Sequence, residues 1–93
     1  MIARVVLSKR AQRDLRKLPW HIVDKLEAWV RAVGLRGLEE VRKVHGYHDE
    51  SLKGDRQGQR SIRLSLHYRA IYEIRHDGRV EFVSVEEVNK HGY

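Results

Sequence analysis

The sequence contains no cysteine, which removes disulfide scaffolds, thiolate zinc sites and cysteine nucleophiles together. Long apolar runs are missing too. No segment approaches the length needed to cross a bilayer, and the opening MIARVVLSKR lacks the apolar stretch of a secretion signal. A soluble cytoplasmic protein with no membrane partner is therefore expected. Repeats, low-complexity tracts and Gly/Ser linkers are absent, so the 93 residues read as one domain, residues 1–93, with room for a modest core. Against these absences stands a charge excess: 19 Lys and Arg face 13 Asp and Glu, a net charge of +6. Small basic domains of this kind bind nucleic acid or an acidic partner. Hydrophobic residues make up 41%, and the wealth of Val, Leu and Ile argues against disorder.

Residues 2–7, IARVVL, read as a strand rich in β-branched side chains. Ser8 is positioned to cap a helix reaching about Lys17, with Ala11, Leu15 and Leu18 at helical spacing. The single proline, Pro19, ends it, because the residue before proline is pushed out of the α region. A second helix is expected from about Trp20 to Val33, with Ile22, Leu26, Trp29 and Val33 as its apolar stripe and Gly34 closing it. A short third helix is expected around Leu38–Lys43. After His45 comes a turn-rich loop, HGYHDESLKGDRQGQ, and then three strand-like segments, about 60–65, 69–75 and 80–88. The order β-α-α-(α)-β-β-β predicts an α+β fold, an antiparallel sheet with helices packed on one face.

Side-chain alternation fixes which residues share a face. An Asp77-Gly78 turn would pair Tyr72 with Val83 and Ala70 with Val85, and would set Glu86 across from Arg69. Placing Ile62 and Leu64 on the same apolar face as Ala70, Tyr72 and Ile74 requires an odd number of residues in the turn near 66–68. A slip of one would bury Arg63 and Ser65 instead. Arg63 and Arg69 then project together from the opposite face, with Ser61, Ser65 and Glu73.

Between Lys53 and Arg69 five cations stand against one acid. Arginines on a sheet face and cations in its feeding loop are suited to gripping phosphates, with bidentate contacts from Arg. Arg56 and Arg60 in this stretch, and Lys90 near the end, read as further contacts to a nucleic-acid backbone. The loop Lys53–Gly58 is not a nucleotide-binding P-loop, since it lacks the spacing and a strand follows it. Six histidines do not assemble a zinc site by spacing, and no metal or cofactor is expected. His91 can exchange a proton near neutrality, Tyr93 can stack on a base or donate a proton, and Glu50 is a carboxylate beside Lys53.

These residues also carry a resemblance. Leu52-Lys53-Gly54-Asp55-Arg56-Gln57-Gly58, Arg60-Ser61-Ile62-Arg63-Leu64, Tyr68-Arg69-Ala70-Ile71-Tyr72 and the ending His91-Gly92-Tyr93 resemble the RelE superfamily, the toxins of bacterial type II toxin–antitoxin systems, with the flavour of its HigB and YoeB branches. The likeness is most specific over residues 50–93. It implies the RelE-like, microbial RNase-like fold and an mRNA interferase acting on codons in the ribosomal A site. It also implies neutralisation by a cognate antitoxin, the toxin being monomeric alone and hetero-oligomeric with that partner. By position it implies Glu50 as the loop carboxylate of the active site, Lys53 as a cation near the scissile phosphate, Arg63 and Arg69 as the strand arginines that hold it, and His91 and Tyr93 as the C-terminal pair. Gly92 departs from the pattern, since relatives often carry an acid there or place His and Tyr side by side.

The leading function is therefore a ribosome-dependent, metal-independent endoribonuclease. Arg69, Arg63 and Lys53 would supply charge, Glu50 or His91 the base, and His91 or Tyr93 the acid. The alternatives are a toxin on the same scaffold that binds DNA gyrase, and a non-catalytic nucleic-acid-binding module using the basic face for phosphate contacts.

Overall fold

A computed structural model describes residues 1–90. The chain runs β1 (Val5–Leu7), α1 (Lys9–Leu15), α2 (Trp20–Arg36), α3 (Leu38–Val41), β2 (Glu50–Ser51), β3 (Gln59–Arg63), β4 (Tyr68–Asp77) and β5 (Val80–Lys90), with single 3₁₀ turns at His45–Tyr47 and Gly54–Arg56. The strands form one sheet in the order β1-β5-β4-β3-β2. Three of its pairings are antiparallel, but β1 lies parallel to β5, with Val5 beside Val83 and Leu7 beside Val85. The α+β class stands, and the all-antiparallel sheet is corrected to a mixed one. The chain between β1 and its parallel partner β5 runs through the helices and the other three strands, ample length for the long connection a parallel pair needs.

Ser8 caps α1 as its position predicts. Its Oγ accepts the Ala11 N–H at 3.0 Å and donates to the Glu86 carbonyl at 2.7 Å, tying the helix start to β5. The helix ends at Leu15 rather than Lys17. The amides of Arg16, Lys17 and Leu18 turn back to carbonyls three residues earlier, a tightening that satisfies the last carbonyls before Pro19. α2 runs through Gly34 and stops at Gly37, whose φ of 85° is open to glycine and strained for other residues. Gly37 donates to the Val33 carbonyl at 2.8 Å, and Leu38 donates to the Ile2 carbonyl at 2.7 Å, so the chain turns where the core can receive Leu38. α3 is one turn, ending at Val41 rather than Lys43.

The core lies between the helices and one sheet face. Ile22, Leu26, Trp29 and Val33 from α2 pack on Ile62, Leu64, Ala70, Tyr72, Val83 and Val85, with Leu15 partly buried at the rim. The rings of Trp29 and Tyr72 sit 5.4 Å apart, tilted by 44°. No helix of the described residues is long and apolar enough to cross a membrane.

The β4–β5 hairpin differs from expectation in an instructive way. The turn is Gly78-Arg79, with Asp77 paired to Val80. Gly78 has φ 62° and Arg79 no positive φ, the pattern of a two-residue turn with glycine leading. The pairing slides by two residues, which leaves the side chains between the turn and Val85 on their expected faces. A bulge opposite Ile71/Tyr72 then takes up Glu86 as an extra residue, so Arg69 pairs with Asn89 and not with Glu86. β1 ends level with Val85. Beyond it, Asp14 of α1 accepts the Val88 N–H at 3.0 Å and covers the open edge.

Candidate functional site

Arg63 and Arg69 are direct cross-strand partners, and so stand on one sheet face. The connection between them, residues 64–68, has the odd length that the apolar pattern demands; it closes with Leu64 and Ser65 both donating to the Tyr68 carbonyl. β2 adds a further rung outside β3, with Glu50 paired to Ser61. That alternation sets Glu50 on the same face as Ser61, Arg63 and Arg69. Together with His48, Ile62, Ser65 and Tyr68 these residues line a small, open cleft.

Two sides of this cleft differ chemically. His48 has a left-handed backbone, φ 48°, a conformation that costs an L residue of this kind on the order of 1 kcal/mol. Its Nε2 lies 3.8 Å from Glu50 Oε2, so an imidazole and a carboxylate, both well exposed, share one wall. The other wall is Arg63, exposed, and Arg69, half-buried. An imidazole and a carboxylate facing two guanidinium groups have the chemistry to bind a phosphate and to act as acid or base beside it.

Glu50 is held in place from below. Asp49, its side chain 1% exposed, accepts Arg60 Nε at 2.6 Å and the Tyr72 hydroxyl at 2.6 Å. Burial, reinforced by the hydrogen bond to Asp49, pushes the Tyr72 phenol up to about 12. Burial alone would lower the Arg60 guanidinium, but the Asp49 hydrogen bond and charge outweigh it and leave it above its usual value. This anchor fixes the residue before Glu50 against the core.

The remaining expected residues divide. Arg60 does not reach the cleft: it pairs with Tyr72 in the ladder and is engaged with Asp49 on the helix side, since it shares the face of Ile62 and not that of Arg63. Arg56 does not present a free cation either. Its Nη2 is 2.9 Å from Glu87 Oε1 and its Nη1 donates to Gln59 at 2.9 Å. Lys53 lies between β2 and the Gly54–Arg56 turn, outside the cleft lining. Lys90 ends β5 across from Tyr68 and is exposed. His91 and Tyr93 lie outside the described residues. Among the described residues, no three His, Asp or Glu side chains are grouped to hold a metal ion.

Sequence reasoning missed three contributors. His48 was legible only as a neighbour of Glu50 two positions on. Asp49 gave no signal, because its partners are 11 and 23 residues away. Asn89 enters through the bulge that shifts the register: its Oδ1 accepts Arg69 Nε at 3.3 Å.

Comparison with known proteins places the fold. The model of the ParE toxin of type II toxin–antitoxin systems matches residues 5–88, and the chain belongs to this family, within the RelE/ParE superfamily. The fold is similar to that of the YoeB/ParE toxin from Agrobacterium tumefaciens, at 20% identity and TM-score 0.71, covering 96% of this chain and 99% of that one. It is similar to YafQ from E. coli at 15% identity and TM-score 0.72, with 94% and 91% covered. It also resembles the toxin–antitoxin complex RelBE2 from Mycobacterium tuberculosis, at 24% identity and TM-score 0.61, with 98% and 100% covered. At these identities the likeness is one of fold. No curated protein shows a significant sequence match to the chain.

Proposed function

We propose that this toxin is a metal-independent endoribonuclease that cuts mRNA in the ribosomal A site. The observation that carries the reading is the cleft in which Glu50 and His48 face Arg63 and Arg69. In the reaction, Glu50 takes the proton from an RNA 2′-hydroxyl, and that oxygen attacks the adjacent phosphorus. The bond from phosphorus to the 5′-oxygen breaks, and a general acid returns a proton to the leaving oxygen. His91 or Tyr93 fills that role, with His48 as a further proton-exchanging group beside the base. Arg63 and Arg69 hold the phosphate in line and neutralise its growing charge. The products are a 2′,3′-cyclic phosphate and a 5′-hydroxyl. Lys53 and Lys90 contribute to the approach of the RNA from the cleft's margins. The toxin works in the cytoplasm, monomeric until a cognate antitoxin binds it, as DinJ is found with YafQ from E. coli.

The test is incubation with ribosomes carrying a defined mRNA, followed by analysis of the RNA ends. Cyclic-phosphate ends that appear with wild type and vanish with Glu50→Gln support the reading. The ParE family assignment favours a second reading, a toxin directed at DNA gyrase. Gyrase inhibition with intact mRNA would select it.

A further inference from the structure

Behind the arginine wall lies a carboxylate that the reaction does not use. Glu87 is buried on the cleft's own sheet face, its side chain 7% exposed. An unpaired negative charge there would repel a phosphate and draw Arg69 away from it. Instead the carboxylate is saturated. Its Oε1 accepts Arg56 Nη2 at 2.9 Å and Asn89 Nδ2 at 2.6 Å, and its Oε2 lies 3.4 Å from Arg10 Nη1. An ionised carboxylate can only accept hydrogen bonds, so the amide of Asn89 must turn its NH₂ toward Glu87. That leaves the Asn89 carbonyl oxygen aimed at its ladder partner, Arg69, whose Nε it meets at 3.3 Å. With Nε engaged, the two terminal nitrogens of Arg69 stay available for a bidentate contact.

We propose that Asn89, gripped by Glu87, is a positioning residue that holds Arg69 for phosphate binding in the cleft. It is a neutral spacer: it orients the guanidinium without cancelling its charge, while Arg10 and Arg56 absorb the charge of Glu87. This deepens the endoribonuclease reading and rests on it for its role in cleavage, but phosphate binding itself can be measured without cleavage.

The experiment follows the Arg69 Nε–H signal by NMR in the full chain during titration with inorganic phosphate, alongside cleavage on ribosomes. In the wild type, phosphate shifts this signal saturably. Fixing a flexible side chain costs about 0.5–1.5 kcal/mol when it must be done at binding, so Asn89→Ala should weaken phosphate about three- to tenfold and speed exchange of the Nε proton with water. Asn89→Asp keeps the shape but adds a carboxylate against Arg69, and should weaken phosphate more than Asn89→Ala does. A merely structural Asn89 would instead make both losses follow the melting temperature. Equal phosphate affinity in wild type and Asn89→Ala, or no response of Arg69 to phosphate in the wild type, overturns the proposal. A wild type that binds phosphate through Arg69 and loses it in Asn89→Ala, yet never cleaves RNA, upholds the relay and refutes the endoribonuclease.

Discussion

Removing the Asp49 carboxylate should be among the most damaging single changes to this fold. Asp49→Ala leaves two polar groups stranded at once: Arg60, whose side chain is 28% exposed, and the buried Tyr72 hydroxyl. Breaking a fully buried ion pair by deleting one partner costs about 3–5 kcal/mol. Partial solvation of Arg60 reduces that to about 2–4 kcal/mol, which in a domain of this size lowers the melting temperature by on the order of 10–25 °C. Tyr72→Phe removes one hydrogen bond to a charged acceptor and leaves Asp49 with Arg60, so about 1–2 kcal/mol is expected. The phenol adds a pH signature. Burial and Asp49 hold its pKa up at about 12, above the ordinary phenol value of about 10, so the folded state retains a proton that the unfolded chain releases first. The associated stability is full below about pH 10 and is lost as pH rises from about 10 to 12, by about 2–3 kcal/mol in all. Urea unfolding of wild type, Asp49→Ala and Tyr72→Phe at neutral pH and at alkaline steps up to pH 11 reads both effects. A loss under about 0.5 kcal/mol for Asp49→Ala, or an alkaline decline in Tyr72→Phe as steep as in wild type, would refute the anchor.

Leu26, 1% exposed on α2, should cost about 2–5 kcal/mol on truncation to Ala, read by urea unfolding. Gly37→Ala places a Cβ 2.5 Å from Met1 Cγ; the flexible Met1 can move, so the loss should be near the backbone strain alone, which at φ 85° and ψ 148° is about 1–3 kcal/mol, by thermal melting. His91→Gln and Tyr93→Ala should abolish growth arrest and mRNA cleavage while changing stability by less than about 0.5 kcal/mol, tested by expression toxicity alongside melting curves.

Local chemistry made much of the framework legible. The Ser8 cap, the break at Pro19 and the stripe Ile22, Leu26, Trp29, Val33 are all short-range signals. The shared face of Arg63 and Arg69 followed from parity: the odd connection 64–68 makes them direct partners across β3 and β4. What failed required knowledge of distant partners. Gly34 has the composition of a helix stop, but nothing crowds it, and the helix continues until Leu38 can enter the core. β1 contains nothing that says parallel, because its direction relative to β5 is set by the whole return through the helices and β2–β4. Glu86 is an ordinary acid until it becomes the bulge, and that bulge puts Asn89, not Glu86, against Arg69. The basic tally was misleading for the same reason: Arg56 and Arg60 are cations in the sequence but are already matched, by Glu87 and by Asp49.

The account stands most directly on Arg69. It should be compared as wild type and Arg69→Ala on ribosomes programmed with one mRNA, reading the 3′ ends of the products. The account predicts 2′,3′-cyclic phosphate ends within the A-site codon for wild type and none for Arg69→Ala, with both proteins folded and both bound by the antitoxin. Cleavage by Arg69→Ala at the wild-type rate would contradict it.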